Sequence, residues 1–245
     1  MKKIKLTKLS LQKDQIDKLT LINKKRYLMF TCMMRDMDIL QKLLIFAGNE
    51  KPKNEPYLSA TATMVGFLLK SLISKIHEMK IFIFKNKIQS NSEYFSDDLK
   101  NKIAETEIFF ADKGTDTIFA FIRDKFGFHY EYQNDVDQLI DEVSKNYSSF
   151  EMWLSEDSAN EIFPSSNDII FDVIFIKMQE LGFSGDKTSL FEQLFDLSLK
   201  GAKLFRDLSV EYLSEAFPVQ WILGEQIEIN APEFSEVKLP LIVTQ

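Results

Sequence analysis

The chain is short of the residues that usually advertise chemistry: its 245 positions hold one cysteine, two histidines, eight glycines and six prolines. A lone Cys32 excludes an internal disulfide and a cysteine-based zinc site, and it suits a reducing cytoplasm. His77 is expected on the outside of its helix with no partner at metal-ligand spacing, so no metal and no other cofactor is expected. The sequence holds no phosphate-cradling glycine loop, no nucleophile elbow and no internal repeat. It also lacks an apolar run of the ~20 residues that a membrane span needs, since the best stretch, residues 64–73, is cut by Lys70. The basic start has no apolar centre of the signal-peptide kind, so a soluble protein without a membrane is expected.

What is present argues for helices. Hydrophobic residues make up 45% of the chain and 22 of them are phenylalanine, enough for a sizeable aromatic core with few breaks. Net charge is −7, which disfavours a surface built for indiscriminate nucleic-acid binding. The charge is uneven. Residues 1–26 carry nine Lys and Arg against Asp14 and Asp17, or +7, so the remainder carries −14. Such a basic lead can hold RNA, grip an acidic partner or lie against its own acidic surface.

Apolar periodicity predicts long helices over residues 13–47, 57–85 and 187–217, with shorter ones over 96–111, 136–146 and 164–181. The set Ile16, Leu19, Leu21, Tyr27, Leu28, Met34, Ile39 and Leu43 marks the core side of the first. Residues 149–163 alternate with period two around a polar turn and read as a small inserted β-hairpin. Residues 219–245, apolar but broken by Pro232 and Pro240, read as an extended arm packed on the bundle or on a second subunit. The expectation is an all-α multi-helix bundle, one domain over residues 1–218, followed by this tail.

One stretch carries the candidate chemistry. Residues 114–130 predict a helix opened by Thr115 or Asp116, with Ile118, Phe121, Ile122 and Phe126 on one apolar stripe and His129 within it. Arg123 falls ~120° round an ideal helix from His129. To meet, they need a curled arginine side chain, a distortion at Gly127, or two copies of the helix. The bland alternative is a core His129 beside an Arg123 in a surface ion pair.

The run Arg123-Asp124-Lys125-Phe126-Gly127-Phe128-His129 resembles the motif of the HEPN superfamily of helical ribonucleases: an arginine, a polar residue and, after four to six further residues, a histidine. The resemblance implies a HEPN-like bundle and a homodimer whose paired motif helices line a composite cleft that cuts RNA without a metal. It further implies His129 as general base, Arg123 as phosphate clamp and Asp124 as the group that positions either. Tyr130 and Lys125 are the candidate substrate-binding residues. A toxin–antitoxin or antiviral defence setting follows from the same resemblance, with an antitoxin or sensor as partner. The alternative is a non-catalytic helical module that uses the motif helix for dimerisation or for nucleotide or partner binding. Histidine suits the removal of a proton from a ribose 2′-hydroxyl and a guanidinium suits the charge that builds on phosphate, giving a 2′,3′-cyclic phosphate end.

Overall fold

A computed structural model describes residues 2–10, 12–49, 54–85, 95–127, 134–154, 162–215 and 222–237. These residues are mostly helical, with one two-stranded antiparallel sheet. The order is β1 (Lys2–Ser10), α1 (Lys13–Lys18), α2 (Leu21–Gly48), α3 (Glu55–Lys85), α4 (Asp97–Ala111) and α5 (Lys113–Ile122). A π-helical turn (Arg123–Gly127) follows, then α6 (Asn134–Ser144), α7 (Pro164–Glu180), α8 (Lys187–Glu215), β2 (Ile222–Ala231) and a 3-10 turn (Phe234–Glu236).

Helix α3 is the axis of the bundle. It packs against α2, α5, the π turn, α7 and α8, and its buried residues, from Val65 through Leu72, Ile76 and Ile83, include neighbours in sequence as well as residues three and four apart. A helix covered on several sides needs apolar residues nearly all round. Among the described residues it is the one helix long and apolar enough to cross a membrane, and half of that apolar window lies buried inside the bundle.

Helix α2 meets α3 and α8 and buries three residues spaced seven apart, Phe30, Met37 and Leu44, all at 2% exposure or less. Phe30 stacks on Tyr212 of α8 with ring centroids 4.5 Å apart and meets Phe82 of α3 edge-on at 5.3 Å. Helix α8 approaches α3 closely at Gly201, where a Cβ would lie 3.1 Å from Ile76 Cγ2.

Several expected boundaries move. The first long helix is two helices, because Thr20 has extended backbone and its hydroxyl accepts from the Asn23 amide at 3.3 Å, starting α2 afresh. The motif helix opens one turn earlier than expected, at Asp112, whose carboxylate takes the Thr115 amide at 2.8 Å and the Thr115 hydroxyl at 2.6 Å. Of the expected hairpin, the described residues show a single antiparallel bridge, Trp153 with Ile162; residues 155–161 lie outside the described set.

The basic lead and the C-terminal arm find each other. Strands β1 and β2 pair antiparallel, with Ile4 opposite Ile229 and Leu6 opposite Ile227, and an irregularity between Thr7 and Leu9. Lys3 and Lys5 reach Glu228 at 3.6 and 3.9 Å, so part of the lead's charge faces the chain's own acidic strand. Past β2, the Asn49 side chain donates to the Val237 carbonyl at 3.0 Å and holds the 3-10 turn against the end of α2.

Candidate functional site

The site is the seam where α3 meets α5 and the π turn. Helix α5 buries Ile118, Phe119 and Ile122 in the aromatic core, where Phe119 meets Phe109 and Phe110 of α4 edge-on at 6.1 Å each. Beyond Ile122 the regular spacing gives way, and residues 123–127 take the wider π geometry, a local distortion common at functional sites. Gly127 permits the close approach that fixes this turn: a Cβ there would run into the Ser74 hydroxyl and lie 2.9 Å from Ser74 Cβ. Ser74 is fully buried and donates to the Lys70 carbonyl at 2.7 Å.

Arg123 is committed to two carboxylates. Its Nε donates to Glu78 Oε1 at 2.6 Å, a second guanidinium nitrogen contacts the same oxygen, and a third donates to Asp124 Oδ1 at 2.6 Å. The bond to Asp124 and, beyond it, the one to Glu78 hold its pKa above the ordinary arginine value. The arginine and Glu78 side chains are 27% and 32% exposed, so the group lies at the surface edge of the seam. Lys125, half-buried, occupies the same turn, and Phe126 is buried edge-on to Phe121 at 5.8 Å. His129 and Tyr130 fall outside the described residues.

A second histidine belongs to this seam, and the expectation that His77 faces outward is wrong. It is 8% exposed, its Nε2 lies 3.8 Å from Asp116 Oδ1 on α5, and its Nδ1 is buried without a hydrogen-bond partner among the described residues. Burial first, and then the nearby Lys80 ammonium, push its pKa below the usual histidine value. Lys80 pairs with Asp116 and sits over the Phe110 ring at 5.1 Å. The seam thus holds two small charge groups side by side, Glu78–Arg123–Asp124 and His77–Asp116–Lys80.

Sequence reasoning singled out Arg123, Asp124 and Lys125 on the turn but missed Glu78, His77, Lys80 and Asp116. The available signal was weak: residues 77, 78 and 80 form the most polar stretch in the second half of an otherwise apolar helix. Among the described residues no three His, Cys, Asp or Glu side chains are grouped to hold a metal ion.

The fold defines a mostly helical bundle with a two-stranded ribbon and a charged seam ending in the Arg123 turn. Comparison with protein-family models, with curated proteins and with solved structures returns no match.

Proposed function

We propose that the chain is a metal-independent endoribonuclease of the HEPN kind, acting as a homodimer in a bacterial toxin–antitoxin or antiviral defence setting. The observation that carries the reading is the placing of Arg123. It stands at the surface edge of the bundle, on a π turn that leads straight into the residues bearing His129 and Tyr130. In this reading His129 takes the 2′-hydroxyl proton, Arg123 leaves Glu78 or Asp124 to neutralise the scissile phosphate, and Lys125 and Tyr130 hold the strand. The twin turn of a second copy completes the cleft.

The test is cleavage of a mixed RNA pool with and without EDTA. Wild type cuts in both conditions and leaves 2′,3′-cyclic phosphate ends, while His129→Ala and Arg123→Ala lose about a hundredfold or more in rate. Intact RNA with wild type, or variants that cut as well as it does, removes the enzyme reading.

One observation favours a second reading, a non-catalytic helical binding module. Arg123 makes charge-assisted bonds to two carboxylates in a single chain, which is how a purely structural arginine is used.

A further inference from the structure

Away from the seam, α3, α7 and the start of α8 line an open cavity of about 530 Å³ near the end of α2. That volume lies in the range of small-molecule sites, and its walls are largely apolar, with Leu58, Ala62, Val65, Phe171 and Phe191 among them. Gly66 contributes bare backbone, where a Cβ would come 2.5 Å from Asn167 Oδ1.

The charged groups of the lining belong to α7 and the start of α8. Asp172 is fully engaged: the Tyr147 hydroxyl donates to its Oδ2 at 3.0 Å and Lys187 Nζ lies 2.5 Å from its Oδ1. Asp168, one helical turn earlier on α7, is an exposed lining residue with no hydrogen bond or ion pair among the described residues. The three charged side chains of the lining, two aspartates and one lysine, therefore sum to −1, and the surplus charge is that of Asp168.

We propose that this cavity is a binding site for a small organic cation, an amine with an aromatic or aliphatic body, whose ammonium group pairs with Asp168. The local charge calls for one positive charge and repels carboxylates and phosphates. A metal ion is a poor match, because Asp172 already has its partners and no three His, Cys, Asp or Glu side chains are grouped among the described residues. Phe171 and Phe191, with centroids 5.9 Å apart and planes at 44°, offer ring faces for the body of the ligand and for the cation itself. Partial burial, and then the neighbouring Asp172, raise the Asp168 pKa, while the Lys187 ammonium pulls it back only in part. The proposal does not rest on the ribonuclease reading.

Titration calorimetry on the full chain tests it with three probes of one shape: tryptamine, its uncharged counterpart tryptophol and the anionic indole-3-propionate. Tryptamine binds, tryptophol binds about tenfold more weakly or less, and the anion does not bind. Asp168→Asn brings tryptamine down to the affinity of tryptophol. Ala62 lines the cavity from an exposed position, so Ala62→Trp fills the space, abolishes tryptamine binding and leaves the thermal midpoint unchanged. The proposal is overturned if tryptamine shows no binding at millimolar concentration or no advantage over tryptophol, or if either variant binds it undiminished. RNA cleavage by Asp168→Asn stays at the wild-type rate in every case, so failure here is distinct from failure of the nuclease assay.

Discussion

Glu78 is the residue on which the two readings of the motif separate. A carboxylate that lends Arg123 to a phosphate competes with that phosphate, and a carboxylate that merely ties a helix end does not. Under the ribonuclease proposal Glu78→Gln frees the guanidinium and tightens RNA binding by up to about fivefold, measured by fluorescence anisotropy at fixed salt. Unchanged RNA affinity with a lowered urea midpoint instead marks Arg123 as a structural clamp. His77 supplies a second residue-level expectation. Its folded-state pKa lies below that of the unfolded chain, so the folded state binds fewer protons, and stability holds above about pH 6.5 and is lost as pH falls through that value. Urea midpoints at about pH 7.5 and 5.5 reveal this loss in wild type, and His77→Gln flattens it; His129→Ala serves as the control for the only other histidine.

At the scale of elements, the existence of nearly every helix was legible in the sequence, because long apolar periodicity survives whatever packs against it. Which side is buried was less so. On α2 the expected core positions Leu21, Leu28 and Ile39 are exposed, at 70%, 58% and 47%, while Phe30 and Leu44 of the buried series went unread. Both stripes are apolar, and only the positions of α3 and α8 decide between them. His77 was misread for the same reason, since a helix packed on several sides offers no single polar face to compare with. The π turn left one trace in the sequence, Gly127, whose tolerance of distortion was noted but whose contact with Ser74 was out of reach without coordinates. That contact gives an element-level prediction. Gly127→Ala forces the turn away from α3 and costs about 1–3 kcal/mol in urea melts, and Ser74→Gly in the same chain restores part of the loss although it removes the bond to the Lys70 carbonyl. Equal losses with and without Ser74→Gly contradict the packing account.

For the whole molecule, the pairing of β1 with β2 was the least legible feature. The lead was read as a basic segment and the tail as an arm seeking a surface; that each is the other's partner follows from matched alternation across more than 200 residues, which no local pattern reports. A two-stranded ribbon alone is marginal in water, and removal of one strand leaves the apolar residues of the other, Ile227 and Ile229 or Ile4 and Leu6, without their cross-strand neighbours. Deletion of residues 1–10 therefore lowers solubility and raises light scattering at a given concentration, while the helical signal in circular dichroism changes little. A deletion that collapses the helical signal shows instead that the ribbon is integral to the bundle.

The same pairing sets a timetable for synthesis. Strand β1 leaves the ribosome more than 200 residues ahead of β2, so at about 5–20 residues per second it waits on the order of ten to forty seconds for its complement. During that wait Ile4 and Leu6 hang from a nascent polypeptide with their backbone amides unclaimed, an open invitation to holdase chaperones or to neighbouring nascent chains on the same messenger.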